Sequence, residues 1–178
     1  MADFKGGVDF SYVWQEFAYI ITEETKLLVL LNHLADTLEE RKRLFKKVDA
    51  ANITEYREKS GEHMQRIVFA CDEVAELLDK TGADKARKEL LAQIEARLAL
   101  IARQGRAFGI HLILATQRPD ANILLGQIKN NMNIRICGRA DTTLSTIIGD
   151  GRAAEQVPHD ARGVLDGRWY GVSGVLFQ

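Results

Sequence analysis

One short stretch decides the fold of this chain: RIVFACDE, residues 66–73, an apolar run that ends in two adjacent carboxylates. The run is β-branched at Ile67 and Val68 and has no polar alternation, which is typical of a strand buried on both faces of a parallel sheet. Ligands of open α/β sheets bind outside the carboxyl ends of such strands, where Asp72 and Glu73 fall. One acid there can hold Mg²⁺, directly or through water, while the other orients or deprotonates an attacking water. The alternative is structural, with both acids serving as cap and first-turn charge of a following helix.

The composition is that of an ordinary globular domain. The chain has 178 residues, of which 46% are hydrophobic and 28% are charged, and this balance excludes a disordered protein. The formal net charge is −1, so DNA binding would need a local basic patch or several subunits together. Both cysteines lie in apolar runs and the four histidines are scattered singly, which indicates buried thiols rather than a metal site. The sequence has no signal peptide and no bilayer-spanning apolar run, so we expect a cytoplasmic protein.

Predicted strands and helices alternate along the chain. We predict a first helix that is capped by Thr22 and runs to about Lys47. Further helices are predicted over residues 52–60, 85–106, 122–130 and 142–148, and further strands over residues 110–115 and 134–138. The segments 163–170 and 174–177 are typical of an antiparallel edge hairpin. The alternation predicts one α/β domain, residues 1–178, with a doubly wound, mostly parallel sheet flanked by helices.

The predicted strand at residues 110–115 also ends in polar residues, in the sequence ATQRP at residues 115–119. On a strand beside an acidic one, a hydroxyl or amide side chain can sense the γ-phosphate of a nucleotide. Thr116 and Gln117 have this chemistry. A loop that holds both Gln117 and Arg118 can also relay the nucleotide state to a neighbouring subunit.

Four further segments, taken together, indicate a protein family more specifically than any one of them does alone. They are RAFGIHLILATQRP at residues 106–119, GQIKNNMNIRI at residues 126–136, EERKRLF at residues 39–45 and DFKGG at residues 3–7. With the acidic strand in the position of a Walker B motif, they resemble the motor domain of the FtsK/SpoIIIE family of DNA translocases over nearly the whole chain. The form of the DFKGG segment is similar to versions found in conjugative elements.

The resemblance implies a RecA-like fold, a hexameric ring and ATP-driven movement along double-stranded DNA. It implies that Asp72 is the Walker B acid acting on Mg²⁺ and that Glu73 is the catalytic base for water. Gln117 is then the γ-phosphate sensor, and Thr116 lies beside it in the nucleotide site.

Basic residues are assigned by the same resemblance. Arg41 matches an arginine similar to a trans-acting finger, a group that commonly contributes several powers of ten in rate. Arg118 and Arg106 are its rivals for that role. Lys129 and Arg135 are expected to face a DNA channel, although both suit a plain solvated surface as well.

The sequence departs from the family in one respect that decides activity. No Gly-x-x-x-x-Gly-Lys-[Ser/Thr] motif occurs anywhere in it. We therefore expect a C-terminal portion of a motor domain, without the phosphate-binding loop and the strand and helix that carry it. ATP and Mg²⁺ are the cofactors expected of an intact parent, and neither is expected to bind this chain tightly. The parent is expected to form a homo-hexamer on double-stranded DNA and to carry N-terminal membrane or regulatory domains.

Two other functions stay open at this point. A non-catalytic RecA-like module for ring assembly or protein contact has less reason to keep Glu73 and Gln117, and both are present. A metal-dependent nuclease would need Asp3, Asp72 and Glu73 around one or two Mg²⁺ ions, and a plasmid-nicking assay with Mg²⁺ would distinguish it.

Overall fold

The computed structural model describes residues 1–4, 10, 12–116, 126–132, 134–136 and 175–177, which form five α-helices and five strands. The helices are α1 (Glu24–Lys47), α2 (Ile53–Ser60), α3 (Val74–Leu78), α4 (Lys85–Gln104) and α5 (Gly126–Asn130). The strands are β1 (Ala2–Asp3), β2 (Ile67–Asp72), β3 (Ile110–Ala115), β4 (Ile134–Ile136) and β5 (Val175–Phe177). Short 3₁₀ helices cover Tyr12–Glu16 and Arg106–Phe108.

The strands form one sheet in the order β1-β2-β3-β5-β4, in which β1, β2 and β3 run parallel. The register pairs Asp3 with Asp72 and Cys71 with Leu114. The carboxyl ends of the three parallel strands therefore meet at one edge of the sheet. The predicted mostly parallel α/β sheet flanked by helices is confirmed.

The C-terminal strand differs in place from the prediction. β5 is antiparallel, as expected, but it lies between β3 and β4 and pairs with both, rather than at an edge. An antiparallel strand in this position satisfies the backbone groups along the free side of β3, where its register pairs Ala115 with Val175. The predicted hairpin partner at residues 163–170 and the helix at residues 142–148 lie outside the described residues.

One hydrophobic cluster joins the sheet to the two long helices. It includes Phe69 and Leu112 from the strands, together with the apolar stripes of α1 and α4. The fully buried stripe residues are Leu27, Leu31 and Leu38 of α1 and Leu91, Ile94, Leu98 and Ile101 of α4. Burial of each such side chain contributes roughly 1.5–3 kcal/mol, so this packing holds α1 and α4 firmly against β2 and β3.

The second face of β2 is only partly covered in the described part of the chain. Phe69 and Cys71 are buried, whereas Val68 is 56% exposed and Ala70 is half-buried. The expectation that this strand is buried on both faces is therefore wrong for the described residues. The apolar run predicted a strand correctly, but it carries no information on which elements are present to cover each face.

The ends of the helices follow local chemistry and lie within two residues of the predictions for α1, α2 and α4. The side chain of Asn52 accepts hydrogen bonds from the first-turn amides of α2, and Gly61 ends that helix with φ +72°. α1 begins one residue later than predicted, because Glu23 rather than Thr22 is its N-cap residue. α4 ends at Gln104, two residues before the predicted end at Arg106, and Arg106 instead begins a separate 3₁₀ helix, Arg106–Phe108. No helix in the described ranges is both long and apolar enough to cross a membrane.

Candidate nucleotide site

Polar side chains gather where the three parallel strands end. Asp3 ends β1, Asp72 ends β2 with Glu73 directly after it, and Thr116 follows β3. Asp3 is fully buried, and Glu73 and Thr116 are 7% and 4% exposed. Three acids and a hydroxyl thus lie along the edge where open α/β sheets bind ligands.

Glu73 is held by an unusual backbone and a direct side-chain contact. Its φ and ψ of 50° and 61° lie in the left-handed region, and it is the N-cap residue of α3. A non-glycine residue there costs of order 1 kcal/mol or more, and such outliers cluster at functional sites. The hydroxyl of Thr116 donates a hydrogen bond to Oε1 of Glu73 at 2.6 Å, and this contact is buried. The tips of β2 and β3 are therefore joined through the acid predicted to act on water.

Acidic side chains lie close to the buried thiol of Cys71. Burial, and next the charges of Asp72 and Glu73, raise the pKa of the Cys71 thiol well above its ordinary range. Cys71 lies one residue before Asp72 on β2 and is 2% exposed. A cation that binds at the strand tips would relieve this concentration of negative charge.

The donor set at the strand tips fits Mg²⁺ bound together with phosphate oxygens. Mg²⁺ in nucleotide sites is held by one or two carboxylates, with substrate oxygens and water as its other ligands. Asp72 and Glu73 supply carboxylates, but the described residues contain no group of three or more His, Cys, Asp or Glu side chains that could hold a metal ion.

Arg41 lies away from the strand tips, in a buried position near the start of β2 and β3. It is 8% exposed, and its guanidinium donates hydrogen bonds to the carbonyl oxygens of Phe108 at 2.6 Å, Gln65 at 2.8 Å and Gly109 at 3.4 Å. Burial lowers the pKa of Arg41. The guanidinium therefore joins α1 to the two segments that enter the sheet, and this geometry favours a structural role over a finger that reaches into another subunit.

The remaining predicted site residues are placed less completely. Gln117 and Arg118 lie outside the described residues. Lys129 is on α5 and Arg135 is on β4, where only their backbones are described. Arg106 is exposed on the 3₁₀ helix that precedes β3, at the end of the sheet opposite Glu73.

Sequence reasoning placed Glu73 and Thr116 on neighbouring strands but did not predict their hydrogen bond. The sequence feature that could have indicated this hydrogen bond is the polar residue directly after each of two neighbouring parallel strands. Nothing in the sequence indicates the hydrogen bonds of the Arg41 guanidinium, because its three acceptors are backbone carbonyls. Backbone acceptors are the same for every residue type, so a sequence does not reveal which ones converge.

Two proteins of known function are similar to this chain in sequence. No protein-family model matches the chain. It is 34% identical over 143 residues to the DNA translocase FtsK of Campylobacter jejuni, which covers 78% of this chain and 14% of that protein. It is 30% identical over 174 residues to the DNA translocase FtsK of Caulobacter vibrioides, covering 79% of this chain and 20% of that one. The chain therefore spans only a seventh to a fifth of the length of these two relatives.

Solved structures give the same result. The conjugation coupling protein TcpA of pCW3, in its monomer form with ATPγS, is similar with a TM-score of 0.81 and 42% identity. That similarity covers 86% of this chain and 44% of the TcpA chain. EssC of Geobacillus thermodenitrificans, at 17% identity and a TM-score of 0.64, shares the fold. This chain is therefore a homologue of the FtsK DNA translocases, with a RecA-like α/β fold, and belongs to the FtsK/SpoIIIE family.

Proposed function

We propose that this chain is the Walker B and sensor portion of an ATP-dependent translocase of double-stranded DNA. The observation that carries the proposal is the buried hydrogen bond from Thr116 to Glu73, which joins the tips of two parallel strands. The Glu73 side chain makes no capping hydrogen bond to the amides of α3, so its contact with Thr116 does not serve to start that helix. An acid that must hold one orientation toward a water molecule gains from it directly.

In the proposed mechanism each residue at the strand tips has a separate task. Mg²⁺, bound with ATP, would neutralise charge on the phosphates. Asp72 holds the ion, directly or through water. Glu73 accepts a proton from the attacking water, while the Thr116 hydroxyl fixes which carboxylate oxygen faces that water. Gln117, the next residue along the chain, is proposed to sense the γ-phosphate.

The remaining assignments concern the intact assembly. A homo-hexamer would bring a trans-acting arginine to each nucleotide, and Arg118 or Arg106 suits that role better than Arg41, whose guanidinium hydrogen-bonds within its own chain. Lys129 and Arg135 are proposed to contact the DNA. Membrane or regulatory domains of the parent, and its transport of chromosomes or of conjugative DNA, are further proposals that rest on the relatives. TcpA, a conjugation coupling protein, favours the conjugative role.

We propose that the chain needs a phosphate-binding loop from outside its own sequence. It contains no P-loop motif, and without such a loop the backbone amides and lysine that hold the β- and γ-phosphates are absent. The isolated chain should therefore bind ATP weakly and hydrolyse none. The same absence favours a second candidate, a non-catalytic module that keeps the fold for ring assembly or protein contact.

The test is DNA-stimulated ATP hydrolysis by a polypeptide extended upstream through a P-loop. Glu73→Gln should nearly abolish turnover while nucleotide binding is kept, because the amide cannot accept the proton. Glu76→Gln, an exposed glutamate three residues along the chain, removes the same charge and should leave turnover within about twofold. Undiminished turnover in Glu73→Gln would contradict the catalytic role. An extended protein that binds its partners but hydrolyses no ATP would support the non-catalytic module.

A further inference from the structure

One buried acid is not among the strand-tip residues and has no task in the proposed mechanism. Glu95 lies at the middle of α4 and is buried. Its Oε2 atom accepts a hydrogen bond from Nζ of Lys80 at 2.8 Å, in an ion pair whose carboxylate side chain is 8% exposed. The surface pair Lys85–Glu89 differs, since its two atoms are 3.9 Å apart and its carboxylate side chain is 65% exposed. A buried carboxylate is costly without a cation beside it, so Glu95 holds Lys80 against α4.

This ion pair connects α4 to the end of α3. Lys80 lies two residues after Leu78, the last residue of α3. α3 has only five residues, and a helix this short does not keep its shape or its position without tertiary contacts. Among those contacts are the hydrophobic cluster that α3 shares with α4, which includes Leu77 and Leu91, and the Lys80–Glu95 pair. The position of α3 on α4 therefore depends in part on one ion pair.

α3 follows directly on Glu73, whose backbone depends on where this helix lies. The carbonyl oxygen of Glu73 accepts hydrogen bonds from the amides of Glu76 and Leu77, at 3.1 and 3.3 Å, and so belongs to the first turn of α3. The φ of Glu73 is 50°, in the left-handed region. A non-glycine residue keeps such a conformation only where its surroundings leave it no alternative. The hydrogen bond from Thr116 holds the side chain, and the fixed position of α3 holds the backbone.

We propose that Lys80 and Glu95 are a positioning pair for Glu73. The pair fixes the end of α3 on α4, so the helix cannot shift in a way that lets Glu73 leave the left-handed region. The Glu73 carboxylate then stays beside Thr116 and faces the water that it is proposed to deprotonate. Neither Lys80 nor Glu95 touches the nucleotide in this scheme, and their effect passes through α3. The inference deepens the proposed function and rests on it for the effect on turnover, whereas the effect on the conformation of Glu73 concerns this chain alone.

Two variants break the pair, and two others serve as controls. Lys80→Met leaves the Glu95 carboxylate buried without its cation, so the carboxylate should turn to water and displace the segment that follows α3. Glu95→Gln fills the same space and needs no cation, so it weakens the hold on Lys80 with less risk to folding. Lys80→Arg keeps the charge and should keep the contact. Arg97→Met is the matched control, because the exposed Arg97 is also on α4 but donates its hydrogen bond to Asn32 of α1, at 2.7 Å.

The first measurement is the conformation of Glu73 in the full 178-residue chain. A left-handed φ brings the amide proton of a residue close to its own Hα, which gives a strong intraresidue NOE in NMR spectra. That NOE at Glu73 should be strong in the unaltered chain, in Lys80→Arg and in Arg97→Met. It should fall about threefold in Lys80→Met and by about a half in Glu95→Gln, because the amide and Hα protons move apart when φ becomes negative. Should Lys80→Met fail to fold, Glu95→Gln decides by the same measurement.

The second measurement is ATP turnover by the polypeptide extended upstream through a P-loop. A roughly tenfold fall in the population of the left-handed conformation in Lys80→Met lowers kcat about tenfold. KM for ATP should change less than about twofold, because Glu73 acts on water and not in nucleotide binding. Arg97→Met should leave both constants within about twofold.

The two measurements separate this inference from the proposed function. An unchanged NOE in both Lys80→Met and Glu95→Gln, or an equal loss of it in Arg97→Met, would overturn the inference whatever the turnover is. Where Glu73→Gln abolishes turnover, loss of the NOE with undiminished kcat would overturn the link to catalysis. Undiminished turnover in Glu73→Gln would instead overturn the proposed function, and the NOE would then decide the conformational inference by itself.

Discussion

The most informative single perturbation is Arg41→Met, which removes the guanidinium and keeps most of the alkyl stem. The guanidinium makes two short hydrogen bonds, at 2.6 Å to Phe108 and 2.8 Å to Gln65, and one longer contact at 3.4 Å to Gly109. A hydrogen bond from a charged group contributes about 1.5–3 kcal/mol, and a buried acceptor left without a donor costs a comparable amount. The two short bonds together predict a loss of about 3 kcal/mol in the free energy of unfolding.

Urea denaturation of the full chain, followed by circular dichroism, measures this loss. For a chain of this length a loss of about 3 kcal/mol corresponds to a fall in Tm of roughly 6–12 °C. Arg41→Lys should lose about half as much, because one ammonium cannot reach two separated carbonyls in the way a planar fork does. Arg43→Met, an exposed arginine on the same helix, should stay within about 0.5 kcal/mol.

A loss below about 1 kcal/mol for Arg41→Met would refute the structural role derived from these contacts. Arg41 would then again be open as a trans-acting finger, since a finger is released from its own chain and contributes little to its stability. The two roles are thus separated by a stability measurement, without assembly of the ring.

Three further predictions follow from local geometry. Gly109→Ala should destabilise the chain by about 2 kcal/mol or more, because Gly109 has a φ of +72° and an added Cβ would lie 2.4 Å from the Ile53 side chain. Gly82→Ala is the control: Gly82 has a φ of +69° and open space around it, so this change should cost only about 1 kcal/mol. Equal losses of stability in urea denaturation would refute the steric argument. The pKa of His111 is lowered from 6.5 by burial, so the unfolded chain binds that proton at a higher pH than the folded chain does. The free energy of unfolding therefore falls as the pH drops below about 6.5. In His111→Gln, urea denaturation should show a smaller fall in that free energy between about pH 7 and pH 5. Burial raises the pKa of Cys71, so in a Cys137→Ser background a thiol reagent at about pH 8 should label it roughly a hundredfold or more slowly in the native chain than in urea; rapid native labelling would contradict its burial.

Local chemistry made part of the fold predictable from the sequence. The bounds of β3 and of α2 were predicted within a residue, because a short apolar run, an asparagine cap and a terminal glycine each act on their own neighbours. The division of the predicted 85–106 helix into α4 and a 3₁₀ helix was missed. An added Cβ at Gly105 would lie 2.6 Å from the carbonyl oxygen of Ile110, because the chain turns tightly there to enter β3, and the helical pattern of the sequence does not show where that turn begins.

By itself, the sequence determined the chemistry available to this protein: an acidic pair at one strand tip, a hydroxyl at the next, and the segments shared with FtsK. Tertiary structure decided which of these groups meet. It brought Thr116 within 2.6 Å of Glu73 across 43 residues, turned Arg41 onto three carbonyl oxygens, and paired Lys80 with the buried Glu95 at 2.8 Å. The physical reason is that residue type and spacing act locally through propensity and pattern, whereas contacts between distant side chains depend on how the sheet register and the helix packing close the chain in space.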